Sequence, residues 1–310
     1  MGVKSQRNPT SRRACQLHLV ADDFGRSSEI NHAIVQAHHY GTITGASLMM
    51  GGAACAHAVR LARRTPSLAV GLHLVVAGGR SCLSAEKLPN LVDPGGEFPA
   101  SPAVAGWRYA LLPAAREQLR RELRAQFERF ADTGLRLAHV DGHMHLHLHP
   151  TVFRLLLPLL VEYHVPRVRL PRDELWRALA WDHRRAVQKA ALAAVFGLLS
   201  YRAARRLKRL GIATTERTYG LFQSGNMAEP YVTQLLHDVH GQSAEIYFHP
   251  TTGTRLDALG PNPGDLATLL SPRVRQLVAE VRQGRDEERT DDQPRNAAQG
   301  ALQCSYKACC

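Results

Sequence analysis

The sequence lacks several patterns that would assign it to a familiar class. Its six cysteines show no C-x-x-C spacing and cluster only at the extreme C-terminus, so neither a disulfide framework nor a zinc ribbon is predicted and a reducing compartment is expected. The first residues are polar and basic, without the apolar core of a secretory signal, and position 6 is Gln where a myristoylation pattern needs Ser or Thr. We therefore expect a cytoplasmic protein with a disordered lead-in over residues 1–15.

Long apolar runs are also missing. Positive charge, by contrast, is abundant. The 39 Lys and Arg residues exceed the 27 Asp and Glu residues, which gives a formal charge of +12 and predicts an anionic partner. Nucleic acid is the less attractive partner, because no recognised binding motif accompanies the charge. In residues 184–209 an apolar run from Ala190 to Leu199, too short to span a bilayer, lies between clusters of cations. Two interpretations stay open for it: a helix in the interface of an anionic membrane, or a barrel helix or lid packed on the core.

Apolar runs typical of strands alternate with helical patterns through most of the chain. At 310 residues with 45% hydrophobic content, one large α/β domain is the default. Helical patterns cover 27–41, 57–64 and 116–134, and strand patterns cover 17–23, 44–50, 68–76, 135–143, 167–170 and 244–250. This alternation predicts a parallel sheet with helical crossovers over residues 16–282. Residues 283–310 are polar and aperiodic, which is typical of a disordered tail.

Acidic and imidazole side chains follow four of the predicted strands. Asp22 and Asp23 end the first strand, His73 the third, Asp141 and His143 the fourth, and His249 the last. Because the carboxyl ends of parallel strands meet at one edge of a sheet, where such folds carry their chemistry, these residues predict a shared functional site. The alternative is that isolated aspartates cap the following helices.

The stretch VDGHMHLHLHP at 140–150 holds four histidines at alternate positions. In an extended strand the α-carbons of His143 and His149 would lie about 20 Å apart, so at most two neighbouring histidines could share one ion unless the chain turns after Gly142. Asp23 and His73 are the best further ligands, and such a set would leave positions for water and substrate. The alternative is a metal-buffering tract that needs no pocket.

Several stretches together resemble a known family: LVADDFGRSSEINHAI, GTITGASLMMGGAACAHAVRLAR, SLAVGLHLVVAGGR, HVDGHMHLHLHPTVF, PRVRLPRDE and EIYFHP. The chain resembles the YdjC-like carbohydrate deacetylases over residues 16 to 275, and GLHLVVAGGR with the long histidine run resembles their hopanoid-biosynthesis-associated (HpnK-type) branch. The resemblance implies a distorted TIM-like (β/α) barrel and a metal-dependent hydrolase that removes acetyl from an N-acetylated amino sugar. In the hopanoid branch the substrate would be N-acetylglucosaminyl bacteriohopanetetrol, and elsewhere in the family a chitooligosaccharide.

Site residues follow from the resemblance position by position. It implies Asp23, His73 and His143 as metal ligands, Asp22 as the general base and His249 as the general acid. The family is described with Mg²⁺, whereas two imidazoles and one carboxylate suit Zn²⁺ or another transition metal better than a hard ion.

Neighbouring residues of a regular strand face opposite ways, so Asp22 and Asp23 can both serve only if the chain turns, and nearby Gly25 offers the freedom for that. Three further side chains are expected to support ligands or face the substrate: Asp141, His145 and Arg169. For Arg169 the alternative is an ordinary surface or barrel-packing role.

Two other functional classes remain open at this point. One is a metallohydrolase of the phosphoesterase or amidohydrolase type, although its H-x-H pair typically opens the first strand rather than following the fourth. The other is a non-catalytic protein that binds metal or membrane lipid. The hopanoid branch usually ends in a further short strand and a Phe-Arg-Asp-Leu-like motif, which is not found in this sequence. A truncated or frameshifted gene would produce such a difference. Contact with an anionic membrane and assembly into a homo-oligomer both stay open.

Overall fold

The computed structural model describes residues 16–239, 242–254 and 260–291, the last eight of them by backbone alone. The strands are β1 (Leu17–Phe24), β2 (Gly45–Leu48), β3 (Ala69–Leu74), β4 (Val140–Gly142), β5 (Arg217–Tyr219) and β6 (Ala244–Phe248). The α-helices are α1 (Ser28–His39), α2 (Cys55–Arg64), α3 (Pro102–Leu111), α4 (Pro113–Asp132), α5 (Pro150–Glu162), α6 (Leu175–Trp181), α7 (Ala186–Arg209), α8 (Glu229–Asp238), α9 (Pro263–Leu270) and α10 (Pro272–Asp291). Short 3-10 turns cover Ala85–Lys87 and His143–Leu148.

The six strands form one parallel sheet in the order β4-β3-β2-β1-β6-β5. Two single bridges continue it past β4: Val140 pairs with Val168, and Arg167 pairs with Ala213, four residues before β5 begins. Backbone pairing therefore passes from β4 round to the segment that leads into β5, and the sheet curls into an irregular barrel. The predicted distorted (β/α) barrel is confirmed.

The helices form where the sequence supplies caps and an apolar stripe. The hydroxyl of Ser27 accepts from the backbone N–H of Ile30 and caps α1, whose buried face includes Ile34. In α4 the side chains of Leu119 and Phe127 belong to one buried stripe of helical spacing. These helices cover the outer face of the sheet, and strands such as β1 and β3 are buried on both sides over nearly their whole length.

Several predicted boundaries differ from the structure. The strand predicted over 135–143 is limited to Val140–Gly142, and the one predicted over 167–170 contributes only isolated bridges. The barrel is irregular on this side, so strand-like composition there does not produce a continuous ladder. Helix α10 continues to Asp291, which makes 283–291 of the predicted tail helical. The lead-in 1–15 and residues 292–310 lie outside the described residues.

Most of the basic segment 184–209 forms a long helix, α7, on the outside of the barrel. Helix α7 buries only Lys189, Ser200, Ala203 and Leu207. Its neighbour α6 packs against it. In the part of the chain that the structure describes, no helix combines the length and apolarity needed to cross a bilayer.

Candidate active site

The suspected side chains meet at the carboxyl edge of the sheet. Asp22 and Asp23 lie at the end of β1, His73 is the second-last residue of β3, and Asp141 lies in β4. All four are 2% exposed or less. His249 follows β6 directly. Adjacent strands in this order bring residues that are more than 220 positions apart in sequence into one cluster, as the strand-end argument predicts.

An irregularity in β1 lets two adjacent aspartates serve the same cluster. Asp23 has a φ of 65°, and the pairing of β1 with β2 shifts register between Ala21 and Phe24. A left-handed residue other than glycine costs about 1 kcal/mol, and Asp tolerates it better than most. The turn expected near Gly25 therefore begins at Asp23 itself, which brings both carboxylates to one side.

The histidine run does not continue as a strand. The chain enters a 3-10 turn at His143, and Met144 and His145 have φ values of 53° and 56°. This sharp turn after Gly142 separates the four imidazoles, and only His143 reaches the carboxylate of Asp23. The interpretation of the run as an extended strand was wrong. The chain turns after Gly142, which is the alternative that the sequence left open.

Three side chains are spaced as ligands of one ion. Asp23 Oδ1 lies 3.2 Å from His143 Nδ1 and 3.5 Å from His73 Nε2. Two atoms that each lie near 2.1 Å from a tetrahedral ion are about 3.4 Å apart. Asp23 Oδ1 and His73 Nε2 are buried and have no hydrogen-bond partner among the described residues. Because orphaned buried polar atoms are costly, the donor set fits a divalent cation.

A second grouping, Asp22, His73 and Asp141, is equally compact but differs in chemistry. Asp141 Oδ1 lies 2.7 Å from His73 Nδ1, and Asp141 Oδ2 accepts from the Ser47 hydroxyl at 2.7 Å. These carboxylate oxygens already have protein donors, whereas the atoms of the first grouping do not. Asp141 thus holds the His73 ring with Nε2 directed toward Asp23, the usual arrangement behind a metal-binding histidine.

Arg169 occupies the centre of the barrel. It is fully buried, and its Nη1 and Nη2 donate to the two oxygens of Asp22 at 2.6 and 2.8 Å. Nη1 also lies 2.9 Å from Asp141, Nε donates to Glu245, and the guanidinium stacks on the Tyr247 ring at 4.7 Å. Of the two roles considered for Arg169, packing inside the barrel describes it, since it has no surface through which to meet a substrate.

His249 faces Asp22 across the cluster. Its Nε2 lies 4.0 Å from Asp22 Oδ2, and its Nδ1 is buried with no described hydrogen-bond partner. Asp265 accepts from the backbone N–H of His249 at 2.9 Å. Gly260 adopts a φ of 99° against this side chain, where a Cβ would meet that of His249 at 2.4 Å, so only glycine allows the approach.

The electrostatics of the cluster favour positive charge. Burial by itself lowers the pKa of His73, but Asp141, together with Asp22 and Asp23, outweighs burial and raises that pKa to about 9. Burial acts to raise the pKa of Asp23, whereas the rings of His143 and His249 hold it well below its ordinary range. The carboxylates therefore stabilise a cation beside them, either a proton on His73 or a metal ion.

The remaining histidines of the run lie outside this cluster. His145 Nε2 lies 3.0 Å from the Tyr247 hydroxyl, and His147 Nε2 lies 2.9 Å from the carbonyl oxygen of Arg169. His145 is thus a buried neighbour of Tyr247 rather than of the ligand set. His149 packs near Tyr109.

Sequence reasoning missed several side chains that support the site. Ser47, His139 and Glu245 are buried and contact Asp141 or Arg169, Asp265 contacts His249, and Arg26 donates to Asp23. A signal existed for Glu245, because a carboxylate inside the apolar strand AEIYF needs a buried partner. Nothing comparable marks Asp265, which lies in the first turn of α9 like any helix-capping acid.

Fold and site together define an α/β barrel with an Asp-His-His cluster at the carboxyl ends of its strands. The chain belongs to the family of YdjC-like proteins, whose model matches residues 16–280. A mouse protein named carbohydrate deacetylase is 33% identical over 251 residues, which cover 76% of this chain and 77% of that protein. Proteins of the same name from Brevibacillus brevis and Geobacillus stearothermophilus are each 42% identical, over 156 and 146 residues.

These bacterial matches cover 50% and 47% of this chain, and 59% and 56% of the respective relatives. A crystal structure from Enterococcus faecalis, described as that of a candidate cellobiose-phosphate cleavage protein, superposes with a TM-score of 0.67. It is 22% identical and covers 86% of this chain and 95% of its own. At that identity the likeness shows the fold alone.

Proposed function

We propose that the protein is a metal-dependent hydrolase that removes the acetyl group from an N-acetylated amino sugar. The observation that carries the proposal is a pair of buried atoms, Asp23 Oδ1 and His73 Nε2, that accept or donate no hydrogen bond among the described residues and lie beside a carboxylate that Arg169 holds in place. The names of the relatives support the same reaction class.

Asp23, His73 and His143 would hold one divalent cation. When bound, such an ion polarises a carbonyl oxygen and lowers the pKa of a water. The resemblance favours Mg²⁺, whereas two imidazole nitrogens and one carboxylate favour Zn²⁺ or another transition metal. Asp141 would keep the His73 ring in the tautomer and orientation that present Nε2.

Two further residues would move protons. Asp22, held by Arg169, retains lone pairs on both oxygens and would accept a proton from the attacking water. His249, 4.0 Å from Asp22, would donate a proton to the sugar nitrogen, so that an amine leaves rather than an amide anion. Arg169 would act as a positioning residue, because it touches Asp22 and no open surface.

The substrate we propose is N-acetylglucosaminyl bacteriohopanetetrol, and a chitooligosaccharide is the alternative within the same family. A groove of about 600 Å³ between the loops after β2 and β3, lined among others by Arg80, offers the guanidinium of Arg80 as a hydrogen-bond donor at the edge of the sheet that carries the cluster. A glycolipid substrate would place the protein at the inner face of a membrane, in a peripheral position.

One assay tests the function against its alternatives. Metal-reconstituted protein is given N-acetylglucosaminyl bacteriohopanetetrol, N-acetylated chitobiose and p-nitrophenyl phosphate, and released acetate and phosphate are measured. We expect acetate release that falls by about 10²–10⁴ in Asp22→Ala and is largely kept in His147→Ala. Phosphate release in place of acetate would favour a phosphoesterase. Metal uptake that depends on His147, with no turnover of any substrate, would favour a non-catalytic metal binder.

A further inference from the structure

Helix α7 exposes an apolar face over most of its length. Val187, Val195, Leu198 and Tyr201 are between 51% and 85% exposed. Large apolar side chains are common singly on protein surfaces, but a contiguous set on one helix marks a contact surface. Within α7 four side chains are fully buried and Phe196, Leu199 and Ala204 pack partly buried against the core, so one side of the helix covers the barrel and the opposite side faces outward.

All three tryptophans of the chain lie on the surface near this helix or on α3. Trp176 and Trp181 of α6 are 62% and 38% exposed, and Trp107 of α3 is 67% exposed. The Cζ atom of Arg177 lies 4.4 Å from the centroid of the Trp176 ring. Most of the indole remains accessible beside this contact. Indole rings with an apolar body and a polar N–H are favoured where hydrocarbon meets water.

The two exposed helices flank the same turn. Phe196 of α7 packs against His145 with ring centroids 5.5 Å apart, and Tyr109 of α3 packs against His149 at 6.1 Å. Both histidines belong to the segment that begins with His143. The inner sides of α3 and α7 therefore cover this turn, and their exposed apolar residues lie on the outer side of the same part of the barrel.

Charge identifies the partner of this surface. The last third of α7 carries Arg202, Arg205, Arg206, Lys208 and Arg209, and the helix contains no Asp or Glu. None of the five forms an ion pair with a described carboxylate. A groove of about 440 Å³ between α5 and the end of α7 adds Arg154 to an apolar floor that includes Leu157 and Leu210. Apolar side chains bordered by unpaired cations match lipid tails bordered by anionic headgroups.

We propose that α3, α6 and α7 form a docking surface for an anionic phospholipid bilayer. A second copy of the chain fits this face less well, because α7 offers no carboxylate to pair with the cations of another α7. The inference rests on the proposed glycolipid substrate for its biological purpose only. Binding is measured without substrate, so that docking and catalysis can fail separately.

The test uses the full chain and vesicles of phosphatidylcholine with and without one third phosphatidylglycerol, read by co-sedimentation and by tryptophan emission. We expect binding to the anionic vesicles only, with a blue shift of emission because every tryptophan lies on this surface. The double variants Arg205→Glu/Arg209→Glu and Val195→Asp/Leu198→Asp should each bind at least about tenfold more weakly. The control Arg60→Glu/Arg275→Glu makes the same change in net charge on α2 and α10, and should bind like the parent chain.

Circular dichroism and urea unfolding establish that the variants fold, without reference to any catalytic activity. The proposal is overturned if the parent chain does not bind anionic vesicles. It is equally overturned if Arg60→Glu/Arg275→Glu loses as much binding as the α7 variants. It is also overturned if sedimentation shows a dimer that the Val195→Asp/Leu198→Asp variant converts to a monomer, since a second copy would then occupy the face.

Discussion

Arg169 donates two parallel hydrogen bonds, of 2.6 and 2.8 Å, to the carboxylate of Asp22 in the buried centre of the barrel. A planar guanidinium can make this bidentate contact, and an ammonium group cannot. The contact fixes the direction of the carboxylate that we propose as the general base. Its removal should therefore affect the chemistry more than the binding of substrate.

The first prediction concerns Arg169→Lys. The variant keeps a positive charge near Asp22 but holds the carboxylate by one point contact, so kcat for acetate release should fall by about tenfold or more while KM changes little. Steady-state kinetics on N-acetylated chitobiose measure both. Arg167→Lys, which alters an arginine that binds Glu245 but not Asp22, is the matched control and should keep kcat. Equal losses of kcat in the two variants would contradict a positioning role for Arg169.

The second prediction concerns stability and pH at Glu245. This buried carboxylate forms ion pairs with Arg167 and Arg169. Glu245→Gln would remove its negative charge from beside these two guanidinium groups. The free energy of unfolding at pH 7 should therefore fall by about 3 kcal/mol. Burial by itself raises the pKa of Glu245, but the two arginines hold it well below the ordinary value of 4.5. The lowered pKa stabilises the fold above pH 4.5, and that stabilisation is lost as the pH falls below it. Urea unfolding at pH 7 and pH 3.5 should show the gap between parent and variant shrinking in acid, and a gap that does not depend on pH would refute this account.

The third prediction separates the histidines of the run by metal affinity. His143→Ala should abolish stoichiometric Zn²⁺ binding, because it removes a ligand, whereas His147→Ala should retain it, because His147 contacts the Arg169 carbonyl instead. Asp141→Asn should weaken binding by about 10- to 100-fold, since it disturbs the hydrogen bond that orients His73. Titration with a competing chelator measures all three. Strong binding that survives in His143→Ala and disappears in His147→Ala would support the buffering tract.

The fourth prediction distinguishes the proposed acid from the proposed base. An amide needs a proton on its leaving nitrogen, whereas p-nitrophenolate leaves without one. His249→Gln should therefore lower acetate release from an N-acetylated sugar by about 10²-fold or more, yet largely spare hydrolysis of p-nitrophenyl acetate. Asp22→Asn should impair both reactions, since both need an activated water. The assignment of roles fails if the two variants lose the same fraction of activity on both substrates.

The positions of the site residues follow from a property that sequence alone reveals. Parallel strands end at one edge, so Asp22, His73 and His249 could be predicted to meet once the alternation of strands and helices was recognised. The pattern of apolar residues placed β1, β3 and β6 well, because buried parallel strands are continuous apolar runs.

Local backbone geometry could not be predicted in the same way. The left-handed conformations of Asp23 and His145 are held by surrounding contacts, and neither residue type requires them. The strand-like alternation of VDGHMHLHLHP is overridden by the turn at His143, so periodicity misjudged the direction of three imidazoles. The inward direction of Arg169 likewise depends on carboxylates from β1, β4 and β6, which only the folded barrel assembles.

The central claim is that one divalent cation is held jointly by Asp23, His73 and His143. Crystals grown with Zn²⁺ or Co²⁺, and measured on both sides of the metal absorption edge, test it most directly. The account predicts one strong anomalous peak at about 2.1 Å from a carboxylate oxygen of Asp23 and from one ring nitrogen of each histidine. A peak among His145, His147 and His149, or no peak beside Asp23, would contradict it.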